Sequence, residues 1–158
     1  MLIDRYALFR IYVENLSKNL QKYENGKMSS LSMRGIHALC LFQMGKRPDG
    51  MTAAELSAAC EVDKALISRV VADLLELGHI VHKNPEKTKY RSLLVLTPSG
   101  KACLRQVTLW VCDAIRDLKE EITIDELNAF FKVIGILNRF LEGDLDDGSE
   151  KCEKGVTQ

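Results

Sequence analysis

Apolar residues recur along the chain first at helical spacing, then briefly at strand spacing, then at helical spacing again. From Asp4 to Tyr23 the residues Tyr6, Phe9, Tyr12, Val13, Leu16, Leu20 and Tyr23 return every three or four positions, which predicts one helix with one apolar stripe. A shorter helix is expected from Ser32, as its cap, through Met44, ended by Gly45 and the Pro48-Asp49-Gly50 turn. Thr52-Ala53-Ala54-Glu55 reads as a capping box, in which the Thr52 hydroxyl accepts from the Glu55 amide and the Glu55 side chain answers back. Leu56 supplies the inner face of that helix. After Cys60-Glu61-Val62, Asp63 is a good cap for a helix from Lys64 to Leu77, stopped by Gly78. Leu66, Ile67, Val70, Val71, Leu74, Leu75 and Leu77 fill one broad half of it, while Ala65, Ser68, Arg69, Ala72, Asp73 and Glu76 share the other.

Beyond Gly78 the pattern turns β-rich. Ile80-Val81-His82-Lys83 and Ser92-Leu93-Leu94-Val95-Leu96 can pair as a hairpin around residues 84–91. Thr97 then caps a long helix with Pro98 at its first position, expected to reach about Glu121. Thr123-Ile124-Asp125-Glu126 makes another capping box, and the last helix carries Leu127, Phe130, Phe131, Ile134, Leu137 and Leu141 to Gly143. The expected class is mainly α with a small β-hairpin. Between Thr52 and Thr97 the order is capped helix, three-residue turn, capped helix, strand, basic hairpin, strand, which is the order of a winged helix-turn-helix module.

That order gives the outer face of the Lys64–Leu77 helix a use. Small residues at Ala65, Ser68 and Ala72 let a helix approach base edges, and Ser68 and Arg69 can donate to phosphates or, for Arg69, to guanine acceptors. Taken alone the same face reads as a solvated surface. The hairpin carries Lys83, Lys87, Lys89 and Arg91 against Glu86, a net charge of plus three, and can reach along a DNA backbone or into a narrow minor groove. The candidate DNA contacts are therefore Ser32, Arg34, Lys64, Ala65, Ser68, Arg69, Lys83, Lys87, Lys89 and Arg91.

Composition narrows the classes further. A chain of 158 residues suits a single domain over 1–143, with residues 51–97 as the winged unit and residues 1–30 and 98–143 as dimerisation helices. The 22 basic and 22 acidic residues cancel, so affinity for DNA has to come from local asymmetry. After Gly143, five acids face two lysines, and residues 144–158 are expected to form an acidic, disordered tail. No run approaches the length of a membrane span and no leader opens the chain, so a cytoplasmic protein is expected. Cys40, Cys60, Cys103, Cys112 and Cys152 are odd in number and lack a C-x-x-C pair, against both a disulfide framework and a zinc ribbon. His37 and Cys40 share a helical face, yet two ligands fall short of a structural metal site, and His79 and His82 read as strand residues. No cofactor or metal is expected. Nucleophile elbow, P-loop, dinucleotide fingerprint and zinc-protease motif are all missing from the sequence, against an enzyme.

The terminal helices carry more apolar surface than one small core needs. Phe130, Phe131, Ile134, Leu137 and Phe140, with Ile3, Tyr6 and Phe9, can pack across a two-fold axis, because two recognition helices read far more sequence than one.

These residues together resemble the MarR family of bacterial winged helix-turn-helix regulators, over about residues 4 to 142. The likeness rests on Leu31-Ser32 opening the second helix, Thr52-Ala53-Ala54-Glu55-Leu56, Val62-Asp63, Ser68-Arg69, Leu74, Gly78-His79-Ile80 and Val95-Leu96-Thr97-Pro98-Ser99-Gly100. It implies a triangular dimer built from the first and last helices, a pseudo-palindromic operator and a cleft where small, often phenolic, ligands lodge and weaken DNA binding. Two departures stand out. The family's Asp-x-Arg wing element falls here on Thr88 and Tyr90, and Asp73 places an acid on the helix face expected to meet phosphate. The family's peroxide sensors carry an early cysteine and its zinc sensors a histidine pair after the wing, and neither is present. An organic effector remains, with Tyr6, Tyr12, His37, Met44 and Trp110 as candidate lining groups. The function expected is a homodimeric transcriptional regulator, a repressor released from its operator by a small organic ligand. The alternative is a winged-helix module that binds protein and not DNA, in keeping with zero net charge.

Overall fold

A computed structural model describes residues 2–83, 92–118 and 121–144. In chain order these form α1 (Leu2–Met28), a short 3-10 turn (Ser29–Leu31), α2 (Gly35–Gly45), α3 (Ala53–Cys60), α4 (Lys64–Glu76), β1 (Ile80–His82), β2 (Leu94–Leu96), α5 (Pro98–Leu118) and α6 (Ile124–Asp144). The chain divides into two units, Met1–Val111 and Cys112–Gln158, with α5 running from the first into the second. The expected class, mainly helical with one small antiparallel strand pair, is what the structure shows.

Local chemistry sets most helix starts. At α3 the Glu55 amide donates to the Thr52 hydroxyl at 3.2 Å, and the Thr52 amide donates to the Glu55 carboxylate at 2.7 Å. The Thr52 amide first, and then the Thr52 hydroxyl donating to the same carboxylate at 2.9 Å, hold the Glu55 carboxyl below its ordinary range. A depressed carboxylate stabilises the fold above its ordinary pKa, and that contribution is lost as pH falls through the folded value. Asp63 caps α4 by accepting the Leu66 amide at 2.8 Å. The helix ends where Gly78 takes φ +69°, and the His79 amide donates back to the Leu74 carbonyl at 2.9 Å. The Thr97 hydroxyl accepts the Gly100 amide at 3.0 Å to open α5, and Thr123 with Glu126 forms the same reciprocal box at α6.

The start of α2 differs from expectation. Ser32 does not cap it; the residue sits in the left-handed region at φ 56°, and its amide closes the 3-10 turn on Ser29. The helix opens three residues later, so Leu31-Ser32 does not open it. The Gly35 amide donates to the Asn25 side chain of α1 at 2.9 Å, and the Arg34 amide donates to Nδ1 of His37 at 3.1 Å. Asn25 lies on another helix, where a local cap pattern does not register it, whereas His37 sits at the third helical position, the place a capping box uses.

The core of the first unit gathers Leu41 and Met44 of α2, Leu56 of α3, Ile67, Val70 and Leu74 of α4, Ile80 of β1 and Leu94 of β2, with Met28 and Met51 closing it. In the strand pair Ile80 lies opposite Leu96, Val81 opposite Val95 and His82 opposite Leu94. Met51 adds one more rung, exchanging backbone bonds with Leu94 at 3.1 and 2.8 Å. The wing is thereby tied to the segment that leads into α3. In the second unit, α6 keeps Leu127, Ile134 and Leu137 half-buried.

Truncating the fully buried Leu74 to alanine is expected to lower the unfolding free energy by about 2–5 kcal/mol. Thr52→Ala is expected to cost about 1 kcal/mol. Urea denaturation of each variant checks both values.

Candidate nucleic-acid interface

The buried half of α4 decides what the other half presents. With Ile67, Val70, Val71 and Leu74 turned into the core, the residues Lys64, Ala65, Ser68, Arg69 and Ala72 are exposed together. Side chains on this strip are short except for Lys64 and Arg69, so the helix can approach a groove closely. The Arg69 Nε–H donates to the Ala65 carbonyl at 3.3 Å, which pins the side chain along its own helix. The guanidinium has four further N–H donors to offer a phosphate or a guanine.

Asp73 occupies a different place from the one expected. It is not aimed wholly at the outer surface, because its Oδ2 lies 3.0 Å from Nε2 of His37 on α2. His37 itself is 2% exposed and has both ring nitrogens engaged, so it is packed into the core of the first unit. Met44, also 2% exposed, is core for the same reason. Tyr6 and Tyr12 stand exposed on α1, and Trp110 on α5 is half-buried against the core cluster.

Ser32 and Arg34 are both exposed before α2. At the base of the wing the Lys83 ammonium donates to the Asp49 carbonyl at 3.0 Å, anchoring the strand end to the Pro48–Gly50 turn. Lys87, Lys89 and Arg91, with Thr88 and Tyr90, lie outside the described residues, as do residues 145–158 of the acidic tail. The rear of the wing is fixed where the Thr97 amide donates to the His79 carbonyl at 3.0 Å and the Thr97 hydroxyl to the Gly78 carbonyl at 2.7 Å. Gly100 packs so closely there that a Cβ would run into the His79 carbonyl oxygen. His79 and His82 each use Nδ1 on a serine, Ser99 at 3.1 Å and Ser92 at 3.0 Å. Among the described residues no cluster of three or more metal-ligating side chains occurs, and no helix is long and apolar enough to cross a membrane. Cys40 and Cys60 are buried with their sulfurs 3.9 Å apart, and burial pushes both thiols upward, away from the thiolate form.

Sequence reasoning missed Asn25, which starts α2, and the pairing of His37 with Asp73. The spacing of Asp73 on α4 was visible, but nothing local in the sequence tied it to a histidine 36 residues away.

Two capped helices, a strand pair behind them and an exposed strip of small and basic residues on the second helix define a winged helix-turn-helix protein. Residues 31–89 match the model of the MarR family, and the whole fold is that of MarR-family structures. A MarR family transcription regulator superposes with a TM-score of 0.77 at 24% identity, covering 94% of this chain and 99% of that one. A Staphylococcus aureus MarR in complex with salicylate and kanamycin gives 0.75 at 19% identity, with 89% and 93% covered. The S. aureus MepR–DNA complex gives 0.75 at 14% identity, with 84% and 97% covered. Among curated proteins, none matches the sequence.

Proposed function

We propose that the protein is a homodimeric, DNA-binding transcriptional regulator, a repressor released from a pseudo-palindromic operator by a small organic ligand. The observation that carries this reading is the exposed strip Lys64, Ala65, Ser68, Arg69 and Ala72 on the second helix of a winged helix-turn-helix of MarR type. In this reading Ser68 and Arg69 meet bases and phosphates, Lys64 and Ala65 lie at the helix end nearest the groove, and Ser32, Arg34 and the wing lysines and arginine grip the backbone. The fold relatives that hold DNA in one case and salicylate in another support both classes of partner.

Dimerisation draws support from surface chemistry. Every side chain from Asp4 to Tyr23 is exposed, including Leu8, Ile11, Val13, Leu16 and Leu20. On α6, Phe130 and Phe131 meet edge to face with ring centroids 5.8 Å apart, yet they remain 46% and 62% exposed. Apolar surface of this extent on a folded chain marks an interface. Tyr6, Tyr12 and Trp110 are the proposed contacts for the ligand.

Arg69→Ala is expected to weaken binding to the DNA upstream of the coding sequence by about 1–3 kcal/mol. Fluorescence anisotropy against scrambled DNA measures it, and an unchanged affinity in a folded variant removes Arg69 from base reading. Wild-type affinity is expected to fall steeply between about 50 and 200 mM salt, whereas a protein-binding module would show no salt-sensitive DNA complex. Leu16→Glu is expected to shift the sedimentation coefficient from dimer toward monomer, since it places a charge in a desolvated apolar contact. Salicylate is expected to quench the emission of Trp110, the sole tryptophan, and to lower DNA anisotropy in the same titration. Quenching without loss of DNA binding would separate ligand binding from release of DNA.

A further inference from the structure

His37 and Asp73 join two helices through one hydrogen bond whose direction is set by a second. Nδ1 of His37 accepts the Arg34 amide, so that nitrogen carries no proton, and the ring proton sits on Nε2, where it is donated to Asp73 Oδ2. The donor is almost wholly buried, whereas the Asp73 side chain is 46% exposed. A half-solvated acid on the recognition helix is therefore held by a group that reaches out of the core.

The position of that acid gives the bond a consequence. Ala65, Arg69 and Asp73 follow one another at four-residue intervals, so they share one stripe of α4. A carboxylate four residues from an arginine pairs with it readily. Among the described residues Arg69 makes no such ion pair; its Nε–H goes to Ala65 and the acid goes to His37. A released Asp73 would compete with DNA for Arg69 and would set a negative charge beside phosphate.

We infer that His37 is a positioning residue for DNA binding: it draws Asp73 back toward α2, so the acid neither engages Arg69 nor faces the phosphates. The inference rests on the DNA-binding reading of α4. The Arg34 amide, His37 and Asp73 form a continuous chain from the first turn of α2 to α4. Displacing α2 from α4 breaks that chain and turns the acid against DNA.

The test uses anisotropy of a fluorescein-labelled, mixed-sequence duplex at about 50 mM salt, where phosphate contacts dominate. Wild type, Asp73→Asn, His37→Leu and the double variant are compared, each checked for folding by circular dichroism. Asp73→Asn keeps an acceptor for His37 and removes the charge, and because the wild-type acid is already held back its affinity is expected to stay within about twofold of wild type. His37→Leu is expected to bind about tenfold more weakly, and the double variant to recover most of that loss, because the repelling charge is gone. A double variant as weak as His37→Leu would show a purely structural histidine and overturn the inference. Should His37→Leu fail to fold, Asp73→Asn decides alone: a gain of about tenfold would mean that the acid already faces phosphate, which also overturns it. A wild type that binds neither this duplex nor its own upstream DNA rejects the DNA-binding reading and the inference with it. A wild type that binds while the variants depart from these values rejects the inference alone.

Discussion

Ile67, Val70 and Leu74 of α4 are packed with almost no exposed surface against α2, α3 and β1, and this burial fixes the rotation of the helix about its own axis. A turn of about 100° per residue then leaves no choice over which side chains face outward. Ser68 and Arg69 are presented because their neighbours Ile67 and Val70 are not. Apolar transfer at roughly 25 cal/mol per Å² makes this rotation far more costly to change than any surface contact it exposes. The exposed strip is thus a by-product of core packing.

Around that helix, polar contacts fix position where packing alone leaves slack. Asp63 caps its start and Gly78 ends it, and the same Gly78 carbonyl receives the Thr97 hydroxyl that opens α5. Met51 is hydrogen-bonded into the strand pair through Leu94, which links the entry to α3 with the wing. His37 couples α2 to α4. The Asp63 cap and the Gly78 stop are local, whereas the Thr97–Gly78, Met51–Leu94 and His37–Asp73 bonds join elements distant in sequence, so these three set the relative placement of pieces whose individual form is local.

That distinction explains what was legible in the amino-acid order. Thr52, Asp63, Thr97 and Thr123 each act within three residues, and all four helix starts were readable from those residues and their neighbours. The two faces of α4 followed from its spacing, and the strand pair from Ile80–Lys83 and Ser92–Leu96. The start of α2 was not readable, because Ser32 looks like a cap while the Gly35 amide is satisfied by Asn25, ten residues back on another helix. Asp73 looked like an acid turned toward DNA for the same reason: its partner lies on α2. The depth at which His37 and Met44 are buried was not readable either, because it depends on the packing partners of α2 and not on the helix's own sequence.

A footprint on the DNA upstream of the coding sequence tests the central claim most directly, because it asks whether two copies of the α4 strip read one site. Hydroxyl-radical cleavage with increasing protein is predicted to show two related protected segments whose centres lie about 10 base pairs apart, on one face of the duplex. Uniform cleavage at concentrations that saturate anisotropy, or one unpaired protected segment, would contradict a dimer that reads DNA through α4.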